Sequence, residues 1–160
     1  MDIVFVRHGI AEDFAVSDDA RALTIEGREK IALVARFLAE KVDGVDLVMA
    51  SPLVRAQQTA EIIASHLPAA LFRTEPELHY DTLPDDTLSM LARVARDAQT
   101  AICVGHEPNL SSVISLALAG GYGSFVRVNR GTAASISFPS SPEKGKGMLN
   151  WFCPVGVLKG

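Results

Sequence analysis

Arg7-His8-Gly9 and Gly105-His106-Glu107 each follow directly on an apolar run, Ile3-Val4-Phe5-Val6 in the first case and Ala101-Ile102-Cys103-Val104 in the second. A third segment, Ser51-Pro52-Leu53-Val54-Arg55, begins where Leu47-Val48-Met49-Ala50 stops. Apolar runs of this length, rich in β-branched residues, read as buried strands. When such strands lie parallel, their carboxyl ends share one edge of a sheet, and open α/β folds bind ligands there. Three strand ends then deliver His8, His106, Arg7 and Arg55 to one place. Two imidazoles beside two guanidiniums suit a phosphoryl group. Arginine forks match its oxygens two at a time, and a neutral imidazole nitrogen can attack phosphorus.

Each member of this set has a particular task. His8 is the candidate nucleophile, because the phosphoramidate it would form is labile enough for water to cleave, dividing one hard displacement into two easier ones. A lone histidine is commonly a structural group; Arg7 beside it at a strand terminus argues for chemistry instead. Gly9 would let a phosphate approach the backbone closely. Arg55 lies four residues after Ser51, about one turn into an expected helix, whose free N–H groups and dipole favour an anion. On its own it reads equally as an ion-pair partner of Glu61. His106 could donate to an equatorial oxygen from across the phosphate, or hold a loop. Glu107 could orient an imidazole or face solvent.

The elements that must position these groups alternate. A strand over 2–7 leads to a polar loop, 9–22. Thr24 can cap a helix reaching about Val42, with Ile31, Val34, Ala35 and Leu38 at helical spacing. A strand over 46–50 precedes a helix from Pro52 to about His66, with Ser51 as its cap and Pro52 at its first position. Residues 70–73 form a short edge strand. Pro84 opens a helix ending near Ala98, and a strand over 101–105 leads to a helix from Pro108 or Asn109 to Gly120-Gly121. Ala133–Phe138 and Leu149–Cys153 read as a hairpin around the loop 139–147. Repeated βα units followed by a hairpin imply an α/β fold, with a mostly parallel mixed sheet between two helix layers.

At 160 residues the chain fits one domain, 1–160, and can bury a sizeable core. Its net charge of −4 argues against broad nucleic-acid binding but leaves room for a small basic pocket. No run approaches the roughly 20 apolar residues that span a bilayer, and no basic n-region marks a signal peptide. The expected location is the cytoplasm. Cys103 and Cys153 lie in apolar runs without CxxC spacing, and are expected to be buried, reduced thiols. GxxxxGK[ST], GxGxxG and GxSxG motifs are absent from the sequence. His66 and His79 lack a Cys or His partner at metal-ligand spacing. Gly120-Gly121-Tyr122-Gly123 reads as a helix stop.

Taken together and in order, Arg7-His8-Gly9, Ser51-Pro52 with Arg55-Ala56 and Gln58-Thr59, and Gly105-His106 resemble the histidine phosphatase superfamily. Arg21-Ala22-Leu23-Thr24 with Gly27, Gly105 to Leu110, and Trp151-Phe152-Cys153-Pro154 with Leu158 are similar to its SixA-type phosphohistidine phosphatase branch. The resemblance implies a phosphoglycerate mutase-like α/β/α domain, a phosphohistidine intermediate on His8, a pocket completed by Arg7, Arg55 and His106, and no metal or other cofactor. Larger relatives place an acidic residue between the second and third motifs. Glu75, Glu77, Asp81, Asp85 and Asp86 all fall in that interval, and Glu77, in Pro76-Glu77-Leu78, is the candidate acid. A loosely defined acid fits an imidazole leaving group, which needs less protonation than an alkoxide.

The reading is therefore a metal-independent phosphatase acting on phosphohistidine in a partner protein. The alternatives are a phosphomonoesterase acting on a small phosphorylated metabolite and a non-catalytic phosphate-binding adaptor. An adaptor would need only the arginines. No nucleic acid or membrane partner is expected, and a monomer is compatible with this reading.

Overall fold

The computed structural model of the chain describes residues 1–67 and 71–159. Six strands form one sheet: β1 (Asp2–Arg7), β2 (Leu47–Ala50), β3 (Leu71–Thr74), β4 (Thr100–Gly105), β5 (Ala133–Ser137) and β6 (Met148–Cys153). Four helices connect them: α1 (Ile25–Lys41), α2 (Val54–Ala64), α3 (Pro84–Val94) and α4 (Asn109–Ala119). The spatial order is β3-β2-β4-β1-β5-β6. β3, β2, β4 and β1 run parallel, and β5 and β6 form an antiparallel hairpin against β1. This is a three-layer α/β/α arrangement, with a mixed sheet between two helix layers.

Alternation along the buried strands divides the core. Ile3 and Phe5 of β1 pack with α3 and α4, while Val4 and Val6 pack with α1 and α2. Because β1, β2 and β4 are parallel and in register, Arg7 pairs with Gly105, and Ala50 pairs with Val104. His8, Ser51 and His106 follow at one edge. No described helix is long and apolar enough to cross a membrane.

The chain beyond β1 is pinned to the start of α1. Thr24 caps that helix by accepting from Gly27 N at 2.9 Å, and Thr24 N donates to Ile10 O at 3.0 Å. A Cβ at Gly27 would sit 2.1 Å from Ile10 O, so only glycine permits this approach. Gly9 is tight for a related reason. A Cβ there would lie 2.7 Å from Ile31 Cγ1, so packing against α1 by itself demands the glycine.

Three sequence expectations are corrected. α2 starts at Val54 with Leu53 as its cap and no side-chain capping bond, rather than at Pro52 with Ser51 as cap. The Ser51 hydroxyl is engaged elsewhere, as described below. The change places Arg55 in the first turn. α3 stops at Val94, where Ala95 leaves helical geometry and its N–H closes onto Leu91 O. Cys103 is buried, but Cys153 is half-buried because β6 is an edge strand; neither forms a disulfide. Residue 70 of the anticipated edge strand lies outside the described residues, while 71–74 form β3.

We expect Gly27→Ala to lower stability by about 1–3 kcal/mol, since overpacked sites cost that much and the obstacle here is backbone. Urea denaturation reads this out, and an unchanged midpoint would contradict the close docking of α1 on Ile10.

Candidate active site

His8 is 6% exposed, and its Nδ1 lies 2.7 Å from Gly9 O. A carbonyl can only accept, so Nδ1 carries the proton and Nε2 keeps its lone pair. Gly9 is itself held by α2: Gly9 N donates to Thr59 Oγ1 at 3.1 Å, and Thr59 donates to Arg55 O at 2.7 Å. Thus the Arg55-to-Thr59 turn fixes both the guanidinium and the carbonyl that sets the His8 tautomer. Gln58 accepts from Leu23 N at 2.8 Å and anchors the loop over the site.

His106 lies beside His8, with ring centroids 4.9 Å apart. Its Nε2 is 2.8 Å from Ser51 Oγ, and Leu53 N donates to the same hydroxyl at 3.4 Å. With Leu53 N–H as its donor, Ser51 can give its own proton to Nε2, and in that arrangement the His106 proton lies on Nδ1. Burial first, and then neighbouring cationic groups, press both imidazoles toward neutrality. The His8 pKa falls to about 3 through burial, Arg55, Arg7 and Arg130, with the Gly9 bond opposing. That of His106 falls to about 2 through burial, His8 and Arg55.

Arg7, His8, Arg55 and His106, brought together from three strand ends, line one cavity of about 280 Å³. Arg7 Nη1 donates to Val128 O at 2.9 Å. Arg55 is buried, and its fork grips Asp18, Nη1 on the backbone carbonyl at 2.7 Å and Nη2 on Oδ2 at 2.9 Å. Arg21 holds the other carboxylate oxygen at 2.7 Å. Burial would raise the Asp18 carboxyl, but its bonds to Arg55 and Arg21 outweigh this and hold it below the usual range. Four buried polar atoms of the lining residues find no partner among the described residues: Arg7 Nε, Arg55 Nε, His106 Nδ1 and Glu107 Oε1. Three of these are nitrogens, suited to the oxygens of an anion.

Glu77 is not brought to the cavity; its carboxylate bonds Arg93 Nη2 at 3.0 Å. Asp81 pairs with His79, and Asp85 with Tyr122 and Lys144. The carboxylates lining the cavity are those of Asp18 and Glu107. Gly9 contributes its carbonyl to His8 but does not line the space. Sequence reasoning missed Asp18, Tyr80 and Arg130, which also line it. Asp18 reaches Arg55 across 37 positions, and no local pattern announces that pairing.

The sequence profile of the histidine phosphatase superfamily (branch 1) matches residues 3–80. A protein of Picosynechococcus sp. whose function is uncharacterized is 37% identical over 118 residues, covering 69% of this chain and 68% of that protein. A phosphohistidine phosphatase SixA homolog of Haemophilus influenzae is 39% identical over 64 residues, which is 37% of this chain and 39% of the relative. The solved structure of the protein histidine phosphatase SixA complexed with tungstate superposes with a TM-score of 0.86 at 26% identity, covering 99% of this chain and 100% of that one. The chain belongs to the histidine phosphatase superfamily. It is a phosphatase of that family, similar in fold to SixA.

Between about pH 6.5 and pH 3 the unfolded chain takes up protons that native His8 and His106 refuse, so native stability is lost as the pH falls through that window. ¹⁵N NMR of the unliganded protein should show both rings neutral from pH 8 to about pH 5, with the His8 proton on Nδ1. An imidazolium signal appearing near pH 6.5 would contradict this electrostatic account.

Proposed function

We propose that this chain removes phosphoryl groups from histidine side chains of a partner protein, through a phosphohistidine intermediate on His8. The observation that carries this reading is the placement of His8: Nδ1 lies 2.7 Å from Gly9 O, in a cavity the ring shares with Arg7, Arg55 and His106. Nε2 attacks phosphorus as the bond to the leaving group breaks. Arg7, Arg55 and the Nδ1–H of His106 hold the three peripheral oxygens and offset their charge in the transition state. Water then attacks the phosphorus on His8, releasing phosphate and restoring the imidazole.

The substrate class is supported by two considerations. The anticipated interval for an acid, 75–86, places no carboxylate among the cavity-lining residues. Of the carboxylates that do line it, Asp18 is tied to Arg55 and Arg21 and Glu107 to Ser111, so an alkoxide meets no free acid there, whereas an imidazole leaves readily. The likeness to proteins described as phosphohistidine phosphatases points the same way.

Brief incubation with a ³²P-phosphohistidine protein, followed by an alkaline quench, should trap acid-labile label on His8. We expect His8→Ala to abolish the label and cut turnover by roughly a thousandfold or more. Arg55→Ala should cut turnover by about a hundredfold to a thousandfold. Full activity in His8→Ala would refute the mechanism. Faster turnover across a panel of metabolite phosphates would move the substrate to small phosphomonoesters. Tight phosphate binding without any label would make the protein an adaptor.

A further inference from the structure

Of the unpartnered buried atoms at the site, Glu107 Oε1 differs in kind. Arg7 Nε and Arg55 Nε are donors, as is His106 Nδ1 when Ser51 donates to Nε2, and phosphoryl oxygens suit them. Oε1 is an acceptor, and a phosphoryl dianion offers it nothing. Glu107 is also held in place, because Ser111 Oγ donates to Oε2 at 2.6 Å. It lines two spaces: the cavity containing His8, and an adjoining cavity of about 470 Å³ bounded by 124–128. Arg7 belongs to both walls as well. The two cavities thus share Arg7 and Glu107, and the second offers room beside the phosphoryl position for the remainder of a substrate.

We propose that Glu107 determines specificity for phosphohistidine: Oε1 accepts the N–H of the substrate ring's distal nitrogen, and the substrate chain occupies the adjoining cavity. This deepens the function proposed above and rests on it. A phosphohistidine protonated at its distal nitrogen carries an imidazolium ring. As His8 Nε2 bonds to phosphorus, the P–N bond breaks and its electron pair returns to the substrate ring. That ring departs as neutral imidazole, its distal proton still in place, so this step requires no external proton. A carboxylate at the distal N–H favours the cationic ring over the neutral one. A phosphoester leaves through an oxygen and has no such N–H to offer.

The test compares kcat/KM for a phosphohistidine peptide and for p-nitrophenyl phosphate in the full chain, in Glu107→Gln and in Ser111→Ala. Charged hydrogen bonds of this kind are worth about tenfold to hundredfold. We expect the ratio of the two values to fall by that factor in Glu107→Gln, and less, in the same direction, in Ser111→Ala. Damage to the pocket as a whole would lower both substrates alike. A parallel loss, or an unchanged ratio, overturns the proposal while label on His8 keeps the phosphatase reading intact. A wild-type chain inert toward both substrates overturns both. If Glu107→Gln does not fold, Ser111→Ala decides the question by the same ratio.

Discussion

The hydrogen bond from His8 Nδ1 to the Gly9 carbonyl sets what the site can do. An imidazole is a nucleophile only when neutral, and in this cavity only when its proton sits on the nitrogen facing away from the reaction. Burial first, and then the arginines around the ring, discourage its protonation, and the same arginines attract a phosphoryl group. The arginines therefore help to keep the nucleophile free while drawing in its target. The surrounding architecture serves that arrangement. The Gly9 amide is bonded to Thr59 on α2, and α1 is docked so closely on Ile10 that Gly27 has no room for a side chain.

Asp18 and Ser51 extend this preorganisation. Arg55 is too deeply buried to remain without an anionic partner, and Asp18, shared with Arg21, provides one from the loop after β1. This leaves Arg55 Nε without a partner among the described residues, available for an incoming oxygen. Ser51 does the same for His106, fixing one ring nitrogen so that the other can donate. Both arrangements keep the donors oriented before substrate arrives, which lowers the reorganisation that binding would otherwise demand.

Much of this could be read from the sequence. The apolar runs at 3–6, 47–50 and 101–104 locate parallel strands whose ends carry chemistry, and Thr24 marks the start of α1. The strand-like runs 133–138 and 149–153, joined by the loop 139–147, give the hairpin. What escaped depended on contacts between distant segments. Ser51 has the composition of a helix cap, yet its hydroxyl serves His106 and the helix begins later. Asp18, Tyr80 and Arg130 lie on loops where any polar or aromatic residue is unremarkable, and only the fold brings them to the cavity. Glu77 sits in the anticipated interval, but its neighbour in space is Arg93. Proximity in sequence could not reveal that.

The most direct test of the central claim is a crystal structure with orthovanadate, a mimic of the five-coordinate phosphoryl transition state. The account predicts vanadium bonded to His8 Nε2, the Nδ1–Gly9 bond intact, and vanadate oxygens on Arg7, Arg55 and His106. Vanadate bound away from His8, or attached through Nδ1, would contradict it.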